Sequence, residues 1–294
     1  MANANGWGDG ASNNNIGWGK GADNAIGWGS VYSVSSAGAT DIVGTPAPPP
    51  TDPDAQAFIT AASITNPTQQ SAINQLVVDL KGYSIWTKFD AIYPMVGGTN
   101  SQHTWNLKNT SQFQISWQGG VTSSANGVQF NGMNSYGITN YTPSTSGILN
   151  SHHMSFYSRT QSNGTEVEFG SFDGNSSLIE IRTTGVTYFR INNGSGTISF
   201  ADSDSRAFYL ANRTASNVIN GWRNSTKAVN STLISTALPS RAYFLGAFNN
   251  GGTPTFYTTK QCAFASIGQG LTDTEAANFY TAVQNFNTAL ARQV

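Results

Sequence analysis

Between Trp105 and Ile267 the chain is cut into short apolar runs by turn-forming dipeptides, and this punctuation limits the folds open to it. The runs are Phe113–Trp117, Val128–Phe130, Met154–Tyr157, Val167–Phe172, Leu178–Arg182, Val186–Ile191, Thr197–Phe200, Ala207–Ala211, Val218–Trp222, Ala242–Gly246 and Gln261–Ile267. The breaks are Asn126-Gly127, Asn131-Gly132, Asp173-Gly174, Asn193-Gly194, Asn220-Gly221 and Asn250-Gly251-Gly252. Asn and Asp bond their own backbone in turns, and Gly supplies positive φ without steric cost. Many short strands between such breaks predict an antiparallel sandwich or jelly roll. A chain of 294 residues, 31 of them Gly and 12% aromatic, has the turns and the ring area for it.

Three helices are predicted around this β region. Asp52 or Asp54 can cap a short helix running to Ala62. Asn66 before Pro67 is a cap followed by proline at the first helical position. Ile73, Leu76, Val77 and Leu80 then share one face, and Gly82 is a natural stop. At the other end Thr272-Asp273-Thr274-Glu275 is a capping box, and Ala276, Phe279, Val283, Phe286 and Leu290 follow along one face.

The first thirty residues repeat. Gly6-Trp7-Gly8, Gly17-Trp18-Gly19 and Gly27-Trp28-Gly29 recur, with Ile16 and Ile26 ahead of the second and third triplets. A unit this short cannot bury a Trp and an Ile alone, so it needs neighbours, either further repeats or other chains. Trp7, Ile16, Trp18, Ile26 and Trp28 are therefore the expected docking residues of an anchor. Thr45 to Pro53 holds five prolines and reads as a stiff spacer. The expected organisation is an extended anchor over 1–44, a Pro-rich linker over 45–53, a helical segment over 54–95, and a β-sandwich with its C-terminal helix over 96–294.

Composition excludes several classes. Net charge is -1 and only 10% of residues are charged, against about 25% in ordinary domains. No basic footprint for nucleic acid and no polybasic membrane patch exists. No apolar run approaches the roughly 18 residues of a membrane span, and Met1–Asn5 lacks the start of a secretory leader. Cys262 is the only cysteine and lies in an apolar stretch, so it reads as a buried thiol.

No catalytic residue is assigned. Glu166 and Glu168 are the best carboxylate pair, and hydrolysis of glycosides needs such a pair. Alternate strand residues share a face, which predicts two solvated carboxylates on an exposed strand. The third acid of the laminarinase-type pattern is missing, since Gly170, Ser171 and Phe172 follow. His152 and His153 are adjacent and would point to opposite faces, a poor chelate. Asp173, Asp202 and Asp204 sit in turn segments as hard-oxygen calcium candidates, the one cofactor considered. Sugars bind over aromatic rings flanked by polar groups, and Tyr136, Tyr141, Trp222 and Tyr257 are the candidates for that role.

Asn220–Lys227, Tyr243–Ala247, Cys262–Gly268 and Leu271–Glu275 resemble segments of concanavalin-like (laminin-G-type) jelly rolls. That fold hosts lectins, glucanases and structural modules alike. The Gly-Trp-Gly repeats, the Pro-rich linker and the segment Asp54–Ile59 are together similar to structural fibre or decoration proteins of tailed phages of Bacteroidetes-type bacteria. This resemblance implies a virion surface protein made in the bacterial host cytoplasm, trimeric as such appendages commonly are. It implies a capsid or tail protein as docking partner, with host or environmental glycans as ligands. A head fibre is expected over a tail fibre or receptor-binding protein, because the chain lacks a long shaft. A glucanase-like glycoside hydrolase is the second alternative. The expected partners include neither nucleic acid nor a membrane.

Overall fold

The computed structural model describes residues 51–294. Trp7, Ile16, Trp18, Ile26 and Trp28, and most of the Pro-rich linker, lie outside the described residues. Residues 51–294 form one compact unit.

Its strands are β1 (Phe89–Tyr93), β2 (Ser116–Gln118), β3 (Thr122–Ser124), β4 (Gly127–Gln129), β5 (Tyr136–Ile138), β6 (His152–Ser158), β7 (Phe169–Phe172), β8 (Ser176–Thr183) and β9 (Val186–Asn193). Then come β10 (Ile198–Ala201), β11 (Ala207–Ala215), β12 (Val218–Arg223), β13 (Thr226–Ser231), β14 (Phe244–Leu245), β15 (Phe248–Asn250), β16 (Thr253–Thr255) and β17 (Gln261–Gly268). They form two sheets. One runs β13-β12-β11-β6-β17-β4-β3, with β1 added on β17; the other runs β10-β9-β8-β7-β14-β5-β2, with β15 on β7 and β16 on β15. All pairings are antiparallel except β15 with β7.

The sheets close on a core of alternating inward residues, among them Phe156, Phe169, Phe189, Tyr209, Leu245 and Ile267, all fully buried. This is the antiparallel β-sandwich that the punctuation predicts. Each of the eleven predicted runs overlaps a strand. Asn220-Gly221 is a correction: it lies inside β12, not in a turn. A β-carbon on Gly221 would stand 2.2 Å from the Phe189 ring, so glycine is there for close approach across the sandwich.

Four helices are α1 (Pro53–Ala61), α2 (Pro67–Gly82), α3 (Pro143–Ser146) and α4 (Asp273–Ala289). The caps are those the sequence predicts. Asp52 accepts from the Asp54 amide, Asn66 from the Gln69 amide, and Thr272 with Glu275 forms both halves of the capping box. Ile73, Leu76, Val77 and Leu80 of α2 and Ala276, Phe279, Val283 and Phe286 of α4 are buried together against Tyr157, Phe208, Leu210, Trp222 and Phe264 of the first sheet. The Phe279 ring meets those of Phe89, Phe208 and Phe264 at 4.8, 5.2 and 5.9 Å. The helical segment is thus not a piece apart. It shares a core with α4, and β1 at its end is a strand of the sandwich. No residue of the second sheet belongs to this helix-covered core, so α1, α2 and α4 clothe one sheet and leave the other's outer face without a helix, where Val167, Leu178 and Phe248 form a small buried cluster with Phe172.

Candidate functional site

The free face is where the sequence-predicted aromatics divide. Along β5, Gly137 packs inward on Ile115 and Trp117, so Tyr136 and Ile138 point outward. Phe244 of β14 pairs with Ile138 and stands on the same outer face. Tyr136 packs on Phe244 at 4.8 Å and on Tyr257 at 6.1 Å, and both tyrosines are half-buried. Phe256, next to Tyr257 in the chain, and Met133, next to the Gly132 that bonds Thr258, are exposed at 49% and 74%, far more than most apolar side chains of the unit. Residues 256–259 are held in place by backbone bonds. Val167 donates to Phe256, Thr258 to Gly246 and Gly132 to Thr258.

Tyr141 and Trp222 are not part of this face. Tyr141 is fully buried between sheets, stacked on Tyr243 and His152 and hydrogen-bonded to Asp90. Trp222 is 95% buried under the helices. The ring area of each is worth more in a core than at a surface, and neither can lie under a sugar here.

The residues that follow Tyr257 in the chain, Thr258 to Lys260, belong to a charged cluster. Lys260 immediately precedes β17 and is wholly enclosed. Its Nζ donates to Glu166 Oε2 at 2.8 Å and to Glu168 Oε1 at 2.9 Å. Thr258 Oγ1 lies 3.0 Å from each of the same two oxygens, and Thr259 Oγ1 donates to Glu166 Oε1 at 2.7 Å. The Ile181 amide donates to Glu168 Oε2 at 2.5 Å. Gly246, at φ +91°, donates its amide to the Glu168 carbonyl, a left-handed backbone position that suits glycine. The prediction of two solvated carboxylates on an exposed strand is therefore wrong. Both lie ahead of β7 rather than in it, and both are buried and paired with one lysine that periodicity does not mark.

The two carboxylates are driven apart. Burial raises Glu168 to about 7 although Lys260 pulls against it. Burial also acts to raise Glu166, but the Lys260 charge and hydrogen bond, with those from Thr259, outweigh it and hold Glu166 below the ordinary range. Burial acts to lower Lys260, and the two carboxylates outweigh it, so the ammonium is held above its usual range.

The calcium candidates do not converge. Asp173 is bonded by Ser240. Asp202 Oδ2 accepts from Thr187 at 2.8 Å and Tyr209 at 2.6 Å, and Arg223 Nε stands 3.2 Å from its Oδ1. Asp204 pairs with Arg206 at 2.8 Å. Among the described residues no group of three or more His, Cys, Asp or Glu is placed to hold a metal. His152 and His153 do face opposite ways. His152 Nε2 meets the Tyr243 hydroxyl at 3.0 Å between the sheets, and His153 packs on Phe89 and Phe279 under the helices. Cys262 is a buried thiol whose burial pushes its ionisation up.

The chain matches no protein-family model and no curated protein. It is similar in fold to solved structures. A solved receptor binding domain aligns with a TM-score of 0.51 at 10% identity, over 68% of this chain and 52% of that one. A mutant of Trypanosoma rangeli sialidase displaying trans-sialidase activity aligns with a TM-score of 0.50 at 8% identity, over 74% of this chain and 39% of that one. The chain thus spans about half or less of the length of these neighbours. At such identities the likeness establishes a shared β-sandwich architecture and nothing about chemistry.

Proposed function

We propose that residues 51–294 are a carbohydrate-binding module without catalytic activity, carried on a phage particle by the N-terminal repeat as a head fibre or similar capsid-attached appendage. The observation that carries the binding role is the Tyr136–Tyr257 pair on the sheet face left free by the helices, with the exposed Thr259 two residues on in the chain. Aromatic rings offer the apolar faces of a pyranose a flat partner, and a threonine hydroxyl meets its hydroxyls. Against a hydrolytic role stands Lys260. A pair of carboxylates bound by one buried ammonium is not free to protonate a leaving group and activate water. The Gly-Trp-Gly repeat and its resemblance to phage decoration proteins support the virion role.

A glycan array probed with the purified chain tests the binding role, and the protein inventory of purified particles tests the location. Binding to a defined set of glycans and presence on particles are the expected results. Silence across the array removes the binding role, and absence from particles removes the virion role.

A further inference from the structure

The Glu166–Lys260–Glu168 cluster has more than an ion pair requires. A nucleophile, a base, a donor to a developing oxyanion and a proton relay are assembled on one fully enclosed carboxyl group, that of Glu168.

We propose that Lys260 and Glu168 condense spontaneously into an amide bond that ties the two sheets of the sandwich together. Lys260 Nζ already lies 2.9 Å from Glu168 Oε1, which places the nitrogen within contact of that carboxyl carbon. Glu166 Oε2, at 2.8 Å from Nζ, is the base that takes a proton from the ammonium and frees the nitrogen lone pair. The lone pair forms the N–Cδ bond to Glu168, and the electrons of the carbonyl move onto Oε2. There the Ile181 amide, at 2.5 Å, stabilises the negative charge. Collapse of this tetrahedral centre breaks the Cδ–Oε1 bond. Oε1 leaves as water, its two protons both coming from the original ammonium. Thr258 Oγ1, 3.0 Å from both Glu166 Oε2 and Glu168 Oε1, carries the proton taken by Glu166 across to the leaving oxygen. An ammonium and a carboxylate thus give an amide and one water, and no oxidant, metal or co-reactant is needed.

The environment supplies the driving force. Glu168 and Lys260 are both fully enclosed, and holding opposite charges out of water is costly. Condensation removes both charges and expels a water from a closed site. The two carboxylates differ in environment. Burial makes Glu168 the less stabilised anion of the two and so the more readily attacked, while Glu166 is held as an anion beside Nζ. The position also has a mechanical meaning. Glu168 leads into β7 of the second sheet and Lys260 into β17 of the first, so the bond would close a loop of about ninety residues across the core. Such a bond suits a protein exposed outside the cell without a second cysteine to form a disulfide. The step stands independently of the glycan-binding reading.

Mass spectrometry of the full-length chain under denaturing conditions tests it. The folded wild-type protein is expected to be lighter than its sequence by one water. Trypsin should then release residues 160–182 joined to 242–292, because acylated Lys260 is no longer cut. Lys260→Met should show the full mass of its own sequence. Glu166→Gln, checked for folding by circular dichroism, should remain unlinked or link at least tenfold more slowly. A folded wild-type chain of full sequence mass, with free peptides 160–182 and 242–260, overturns the proposal. Unslowed linkage in Glu166→Gln overturns the role of Glu166 as base.

Discussion

Arg292, two residues from the last, joins several segments of the unit through its side chain. It is wholly buried, and its guanidinium makes five hydrogen bonds without a carboxylate partner. Nη1 donates to Met95 at 2.6 Å and Ala125 at 3.2 Å, Nη2 to Pro94 at 2.6 Å and Ala263 at 2.9 Å, and Nε to Asn287 at 2.8 Å. One planar fork therefore ties α4 to β17, to the loop after β1 and to the loop before β4. Hydrogen bonds to a charged group contribute about 1.5–3 kcal/mol each, but summing five ignores the desolvation of the guanidinium, which offsets several kcal/mol. Arg292→Ala would leave four backbone carbonyls and an amide without donors, and the expected net loss is about 3–5 kcal/mol. For a domain of this size each kcal/mol moves Tm by roughly 2–4 °C, so Tm should fall by about 6–20 °C. Arg292→Lys keeps the charge but cannot reach all five acceptors, and should fall between wild type and Arg292→Ala. Differential scanning calorimetry on the three proteins checks this. A change of less than ~2 °C in Arg292→Ala would show that the network is replaced by water at no cost and that the reasoning fails.

Three further outcomes are expected. Gly221→Val should destabilise by about 1–3 kcal/mol or more, read from urea midpoints, because its side chain would enter the Phe189 ring. Stability should fall as the solution is acidified below about pH 6.5: burial lowers His103 and His152 to about 3 and His153 to about 4, so the unfolded chain binds protons that the folded chain refuses. The slope should be about 1.4 kcal/mol per pH unit per histidine down to about pH 4. Glu168, if unlinked, acts in the opposite sense, since its raised value favours the folded state as pH falls through about 7. A flat urea midpoint between pH 6.5 and 4 would refute the assignment of neutral buried histidines. Finally, replacing Trp7, Trp18 and Trp28 together by Ala should release the protein from particles while residues 51–294 stay folded. Wild-type occupancy of the triple variant would rule the repeat out as the anchor.

Much of the scaffold is written locally. Thr272 with Glu275, and Asn66 ahead of Pro67, are read from neighbours in sequence because a cap is a contact within one turn. The strand runs are likewise legible because alternation and turn residues act over a few positions. What fails is whatever depends on the partner across a sheet. Asn220-Gly221 looks like a turn until Phe189 of β9 is seen to need the space. Strands β3, β13, β15 and β16 carry few apolar residues, so periodicity does not mark them. The carboxylates of Glu166 and Glu168 look solvated because Lys260 lies some ninety residues away, and no spacing rule joins them. Of the four aromatic candidates, Tyr136 and Tyr257 meet on the free face while Tyr141 and Trp222 are buried. Sequence supplies the ring but not the face, because which sheet the helices cover is decided by α2 and α4 together.

The central claim is that glycans bind over Tyr136 and Tyr257, and titration calorimetry of an array-selected oligosaccharide against single and double alanine variants tests it most directly. Each substitution should weaken binding about tenfold, equivalent to about 1.4 kcal/mol, and Tyr136→Ala with Tyr257→Ala should abolish it. The melting temperature should stay near wild type, since both rings are partly exposed. Unchanged affinity in the folded double variant would contradict the account and move the binding site elsewhere on the sandwich.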